Sequence, residues 1–298
     1  MICDVISEPD DAPEQYRVEV ASGIGLEVVD WKPTAPVDVP VFVLVHGLAS
    51  NARLWDGVAR TLRASGARAI AIDQRGHGQS DKPETGYEMT TVSGDLASLV
   101  DRLNLQYPVV VGQSWGANVV VELAAAHPGL ASGVVAVDGG FIDLSTHFPS
   151  WEECKTALAP PKFAGTPFTQ FESWIRDAHP DWPETGITGT MANVEVRPDG
   201  TVAPWLSFEH HLEVLHGLWQ HMPFERLPAV AEPILWMPAD SGTANWTSDK
   251  RVAITRAMKA HPRSEVEWFS PADHDLHAQF PERVADSLLR AVTTGVFA

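Results

Sequence analysis

Tyr107-Pro-Val-Val-Val-Gly-Gln-Ser-Trp-Gly-Ala-Asn118 is the stretch on which the reading of this chain turns. Three consecutive β-branched residues, Val109 to Val111, read as a buried strand. The run breaks at Gly112, passes through Ser114 and continues as a helical segment of small and apolar residues from Gly116 to Ala126. Gly112-Gln-Ser-Trp-Gly116 is therefore G-x-S-x-G between a strand and a helix, the setting in which this pattern presents a serine on a sharp turn. A strained turn of that kind needs neighbours without Cβ atoms, or the strand and the helix collide. The serine hydroxyl is then left standing clear of the sheet.

Working outward, the same rhythm of buried strand and helix recurs on both sides. Residues 16–21 and 25–31 alternate in polarity around Ser22-Gly23 and predict an antiparallel hairpin. Val41-Phe-Val-Leu-Val45 predicts a buried strand ending at His46-Gly47-Leu48. A helix is expected over 52–65, then a strand at Ala69-Ile-Ala-Ile72 ending at Asp73-Gln-Arg-Gly-His-Gly-Gln-Ser80. A helix over 91–104 precedes the central strand, and Gly133-Val-Val-Ala-Val137 follows it, closing at Asp138-Gly139-Gly140. Apolar strands alternating with helices predict a parallel sheet with right-handed crossovers.

The rhythm stops between about 141 and 228, a stretch rich in proline that holds Trp151, Trp174, Trp182, Trp205 and Trp219. Phe208, Leu212, Leu215 and Trp219 fall on one face of a helix expected over 207–220, so the stretch reads as a mostly helical cap inserted into the sheet domain. The rhythm then returns with a strand at 234–237, a helix over 249–260, a strand at 265–269, the turn Pro271-Ala-Asp-His-Asp-Leu-His277 and a helix over 282–293.

Composition narrows the classes of partner. The 298 residues are 44% hydrophobic, enough for one large core with an insertion, and a net charge of −18 disfavours nucleic acid or an anionic membrane as partner. Cys3 and Cys154 are the only cysteines, so no disulfide framework is indicated; residues 1–10 lack a basic, then apolar, leader pattern, and no run reaches membrane-spanning length. A cytoplasmic protein is expected, a monomer or homodimer acting on a small molecule.

His46-Gly47-Leu48, Asp73 to Ser80, the Ser114 turn, and His274 followed by Phe280-Pro281-Glu282 occur in the order seen in the α/β-hydrolase fold, which the sequence resembles in its serine-nucleophile, capped form. The resemblance implies a mostly parallel eight-stranded sheet flanked by helices. The core would comprise residues 1–140 and 228–298, and the mostly helical cap 141–227. It implies Ser114 as nucleophile, because a serine hydroxyl needs a base within hydrogen-bond reach and a carboxylate to orient that base. His274 matches the position of the base and is preferred to His277, although Asp273 stands where the family usually has glycine. Two carboxylates compete for the third place: Asp138, 24 residues beyond Ser114 at the end of the strand before the cap, is favoured, and Asp240 in Met237-Pro-Ala-Asp-Ser-Gly242 is the alternative.

By the same resemblance the backbone N–H groups of Leu48 and Trp115 form the oxyanion hole. Asp73, Arg75, His77 and Ser80 are read as scaffold and His46 as a structural hydrogen-bonding group. The cap histidines His210, His211, His216 and His221, which do not share one helical face, are read as solvent or rim positions. Trp151, Trp174, Trp219 and Phe141 are the expected substrate-contacting aromatics. No cofactor is implied, and the Asp273, His274, Asp275, His277 cluster lacks zinc-ligand spacing, so no metal is expected. The expected reaction is cleavage of a carboxylic ester or lactone of a small to medium apolar molecule through an acyl-enzyme. The alternatives are carbon–carbon bond hydrolysis of a vinylogous diketone and a receptor-like ligand-binding role. Serine at the turn argues against epoxide hydrolases and haloalkane dehalogenases of the same fold, which use aspartate there.

Overall fold

The computed structural model describes residues 12–242 and 244–297. Cys3 and the N-terminal segment considered above lie outside them. The hairpin forms as expected, with β1 (Glu14–Ala21) antiparallel to β2 (Ile24–Trp31). The runs of Val, Ile, Leu and Phe then form β3 (Phe42–Val45), β4 (Ala69–Ile72), β5 (Val109–Gln113) and β6 (Gly133–Val137), in which every residue is buried. With β9 (Ile234–Met237) and β10 (Ser264–Val266) they complete an eight-stranded sheet of order β1-β2-β4-β3-β5-β6-β9-β10, parallel throughout except where β2 meets its two neighbours.

Burial on both faces explains why these strands read as continuous apolar runs. One face packs Val43, Val45, Ile70, Ile72 and Val110 against Leu96 and Leu99 of α2 (Met89–Arg102) and Val119 and Leu123 of α3 (Trp115–Ala126). The other packs Phe42, Leu44, Ala71, Val109 and Val111 against Val58 and Leu62 of α1 (Asp56–Ala64) and Val284 and Leu288 of the last helix (Pro281–Thr293). Each strand thus divides its side chains between two sealed layers, and truncating one such leucine to alanine costs about 2–5 kcal/mol.

Between β6 and β9 the chain leaves the sheet and forms α4 (Leu144–His147), α5 (Trp151–Leu158), α6 (Phe168–Ala178), α7 (Glu184–Met191), α8 (Phe208–Gln220) and α9 (Pro223–Arg226). The insertion is mostly helical, but it also contains an antiparallel ribbon of β7 (Val194–Val196) and β8 (Val202–Pro204), where no strand is expected from the sequence reading. The cause is local: the Arg197 carbonyl accepts from the Gly200 amide, Gly200 sits at φ +79, and Asp199 Oδ1 accepts from the Thr201 amide and hydroxyl. This is the turn chemistry that Pro-Asp-Gly supplies. After β9 come α10 (Ala244–Ala260), α11 (Leu276–Gln279) and α12, the last helix named above. β10 is shorter than expected, ending at Val266, and only an isolated bridge between Ala239 and Phe269 continues it. Among the described residues, no helix is long and apolar enough to cross a membrane.

The chain from β3 goes first to β4 on one side and later to β5 on the other, so the order reverses at β3. Open α/β sheets gather their functional groups at the carboxyl ends of strands beside such a reversal. The segments after β3, β5, β6 and β10 all emerge at that edge.

Candidate active site

Ser114 joins β5 to α3 at φ 53 and ψ −121, a backbone conformation that costs a non-glycine residue about 1–3 kcal/mol. Its surroundings hold it there. The Ser114 amide donates to the Val137 carbonyl at 2.9 Å. A Cβ on Gly112 would meet the Gly116 carbonyl, one on Gly116 the His46 carbonyl, and one on Gly139 the Ser114 carbonyl. The glycines on either side of the serine are thus required by close backbone approach from three strand exits at once.

The serine hydroxyl lies 2.8 Å from His274 Nε2, and His274 Nδ1 lies 2.6 Å from Asp138 Oδ2. A carboxylate only accepts, so Nδ1 carries the proton and Nε2 is free to accept from the hydroxyl. Asp138 is buried at the exit of β6, and its Oδ1 accepts from the Ala239 amide at 2.9 Å. Burial alone would push its pKa up. The hydrogen bond and charge of His274 and the ammonium of Lys250 outweigh that and hold the carboxyl below its ordinary value. For His274 burial acts downward, but the Asp138 hydrogen bond and the fields of Asp275 and Asp138 raise its pKa above the ordinary value.

Asp240 stands elsewhere. It accepts from the Gly242 amide at 3.0 Å, the Thr247 hydroxyl at 2.6 Å and the Ser270 hydroxyl at 3.3 Å, fastening the loop after β9. His277 is fully buried, with its ring 4.2 Å from that of Trp55 and, among the described residues, no hydrogen-bond partner for either nitrogen. Burial, with His274 and His46 nearby, depresses its pKa to about 3.

Two backbone donors border the serine. Trp115 is the first residue of α3, so its N–H has no intrahelical acceptor. Among the described residues nothing accepts from the Leu48 amide. The loop carrying Leu48 is fixed from beneath: the Gln74 amide donates to His46 Nε2 at 3.0 Å, His46 Nδ1 donates to the Gly47 carbonyl at 2.7 Å, and the Ala49 amide donates to His77 Nε2. Burial lowers the His46 pKa to about 4, keeping the ring neutral and the accepting nitrogen available. Asp73 accepts from the Ala52 and Gln79 amides, Ser80 donates to the Asp73 carbonyl, and Arg75 pairs in two-pronged fashion with buried Asp95.

The four aromatics expected to contact substrate occupy three settings. Trp151 and Trp219 share a cluster with His216, and the Trp219 indole donates to the Phe148 carbonyl at 2.9 Å. Phe141 is buried against Trp236. Trp174 is exposed on α6. Two of the cap histidines differ from the rim positions expected of them: His211 and His221 are buried. His221 is drawn in by polar partners on α3, with Nδ1 3.1 Å from Asn118 and Nε2 3.3 Å from Glu122. Glu122 also accepts from Arg226, which ties the end of the insertion to the helix that starts at the serine.

Two contacts at the site come from residues that the sequence reading did not weigh. Lys250 Nζ donates to Asp138 Oδ2 at 2.6 Å and to the Ala239 carbonyl at 3.0 Å. The Trp182 indole donates to Asp273 Oδ2 at 2.9 Å, so the aspartate preceding His274 is tied to the insertion. Neither contact has a local signal, since the partners lie 112 and 91 positions apart. Among the described residues, no group of three or more His, Cys, Asp or Glu side chains is placed to hold a metal ion.

The sequence pattern of one protein family, described as the alpha/beta hydrolase fold, matches residues 40–195. The chain belongs to this family. Its family and hydrolase-named relatives support a hydrolase. It is 28% identical over 250 residues to the 2-(acetamidomethylene)succinate hydrolase of Mesorhizobium japonicum, covering 82% of this chain and 84% of the relative. A non-heme chloroperoxidase of Streptomyces lividans is 36% identical over 121 residues, which is 40% of this chain and 43% of the relative. A crystal structure of E-2-(acetamidomethylene)succinate hydrolase superposes with a TM-score of 0.75 at 25% identity, covering 93% of this chain and 98% of the other.

Proposed function

We propose that this α/β hydrolase cleaves a carboxylic ester or lactone of a small to medium, uncharged molecule through an acyl-enzyme. The observation that carries the reading is the unbroken line of hydrogen bonds from Ser114 Oγ through the His274 ring to Asp138 Oδ2. Ser114 attacks the carbonyl carbon as His274 Nε2 takes its proton, and Asp138 stabilises the imidazolium that forms. The Leu48 and Trp115 amides receive the oxyanion. His274 then protonates the leaving alcohol, and in the second half-reaction it deprotonates a water that releases the acid and restores Ser114.

Residues 1–140 and 228–298 act as the core in this reading and 141–227 as the cap. The proposal for an uncharged substrate rests on the charge of the chain. Arg53 is paired with Asp56, Arg176 with Glu172 and Glu184, and Arg226 with Glu122, while the chain as a whole carries −18. A net charge of that size disfavours approach of an anionic substrate.

A second reading is favoured by the Mesorhizobium relative: hydrolysis of an N-acyl bond, in which the same acyl-enzyme forms and the leaving group is nitrogen. Labelling with a fluorophosphonate tests what both share. Stoichiometric modification of the wild type, absent in Ser114→Ala, is expected; a folded wild type that does not label overturns the proposal. Turnover of matched aryl ester, lactone and N-acyl substrates then separates the two readings.

A further inference from the structure

Asp138 Oδ2 accepts two charge-assisted hydrogen bonds, one from His274 Nδ1 and one from the Lys250 ammonium, each 2.6 Å long. The same ammonium donates to the Ala239 carbonyl, and the Ala239 amide donates to Asp138 Oδ1. Lys250, Ala239 and the carboxylate therefore close a ring that fixes the carboxylate plane, with the lysine and the imidazole sharing Oδ2. Three donors converge on a buried anion, and one of them is a full positive charge.

The charge count has a consequence for the base. Beside a lone carboxylate, protonating His274 completes a neutral pair. Beside an aspartate already paired with lysine, protonation leaves a net positive group, which is electrostatically less favourable. The other groups facing the imidazole push both ways. Asp273 and Asp275 flank it on its own loop and Asp275 favours its charged form; His277 and His46 lie beneath, and His179 of the insertion faces Asp275 and Asp273. Lys250 is the group on α10 that opposes the acidic side of this set.

We infer that Lys250 is a positioning residue that, through its ion pair with Asp138, holds the His274 imidazole in its proton-accepting form to lower pH. This rests on the roles proposed above for Ser114, His274 and Asp138. Among the described residues Lys250 is hydrogen-bonded to neither the serine nor the oxyanion donors; it acts through the Asp138 carboxylate and through its own charge on the imidazole.

The test compares Lys250→Met, which keeps the length and removes the charge, with Lys250→Arg, which keeps the charge. His274 is followed by imidazole NMR against pH, and the second-order rate of fluorophosphonate labelling is measured over the same range. Lys250→Met is expected to move the His274 titration upward by about half a pH unit or more and to slow labelling on the acid side by about three- to tenfold, with the alkaline plateau within about twofold of wild type. Lys250→Arg is expected to return both toward wild type. An unchanged His274 titration in Lys250→Met, or a labelling rate lowered equally at all pH values, overturns the inference. Absence of labelling in wild type removes the proposed function instead, and the NMR titration still decides whether Lys250 controls the ring.

Discussion

The carboxyl edge of the sheet and the insertion that follows β6 are held together by different means. At the edge, backbone approaches backbone so closely that Gly112, Gly116 and Gly139 have no room for a Cβ, and His46, Asp73 and His77 spend their hydrogen bonds on loop amides. The insertion has a small core of its own around Phe171, Val194 and Val202, and a second small cluster where its Trp182 and Ile187 meet Leu54 and Ala278 of the sheet domain. It leaves Leu158, Trp174, Val196, Phe208 and Met222 exposed. Close packing leaves the edge one arrangement, while the insertion has apolar surface that can change without disturbing the fold. On the function proposed above, the edge would place the reactive groups and the insertion would select what reaches them.

The largest test of that contrast sets the two aspartates against each other. Asn at 138 would accept from Nδ1 only through its amide oxygen, leave Lys250 with a neutral partner and fail to stabilise an imidazolium. Asp138→Asn is therefore expected to slow fluorophosphonate labelling by about 10⁴-fold. Asp240→Asn keeps an acceptor for Gly242 and Thr247 and is expected to stay within about threefold of wild type. A comparable loss in Asp240→Asn would mean that the loop after β9, as well as the exit of β6, sets the base.

Next in size is a change at the edge that touches no reactive group. Gly116→Ala drives a methyl group into the carbonyls of His46 and Val45, backbone atoms that cannot rotate away. It is expected to cost about 1–3 kcal/mol, read as a lower urea midpoint with an unchanged slope. Labelling of the fraction that remains folded should fall too, because His46 and Ser114 would be moved apart. A stable, fully reactive variant would show that the edge is looser than its contacts imply.

Much of this edge was legible in the sequence because each of its parts has a local cause. Valine runs mark buried strands, and G-x-S-x-G marks a turn where side chains collide. The aspartate ending Gly133 to Val137 lies at the exit of a strand, where it meets the His274 ring across 136 positions. The choice between Asp138 and Asp240 needed geometry, since both follow buried strands. Lys250 was invisible for a related reason: on α10 it reads as one more exposed helix cation, and only the crossing of α10 over the β6 exit brings it to Asp138. The β7–β8 ribbon did carry a signal in Val194-Glu-Val-Arg-Pro-Asp-Gly-Thr-Val-Ala203, hidden by strands only three residues long. His221 shows the limit of the helical-face argument, since polar groups on another helix can bury a histidine that its own helix would leave outside.

Acidity separates the regions further. His274 has a raised pKa, so the labelling rate should rise with pH through a midpoint above the ordinary 6.5 and level off once the ring is neutral. Five buried histidines titrate in the opposite sense: His46 and His211 are lowered to about 4, His277 to about 3, His77 well below its ordinary value, and burial lowers His261 as well. As pH falls below about 6.5 the unfolded chain takes up protons that these folded rings refuse, so unfolding is favoured. The raised His274 contributes the other way, its stabilisation present at acid pH and lost as pH rises through its folded value. With five histidines against one, the urea midpoint is expected to drop between pH 7 and 5; a midpoint that held or rose would show that water reaches these rings.

The smallest effect is expected at Trp174, and it bears on the other half of the contrast. Its side chain is 47% exposed on α6, and the helix is anchored instead by Phe171 below and by the Arg176 pairs with Glu172 and Glu184. Trp174→Ala should therefore leave the urea midpoint within about 0.5 kcal/mol of wild type and the fluorophosphonate rate unchanged, because neither depends on the outer face of α6. A panel of esters with acyl groups of increasing size then asks what that face does. If kcat/KM falls only for the larger members, Trp174 meets substrate and the insertion selects by contact. If the whole panel is untouched, selection rests with groups other than Trp174, and the exposed tryptophan serves no part of the reaction.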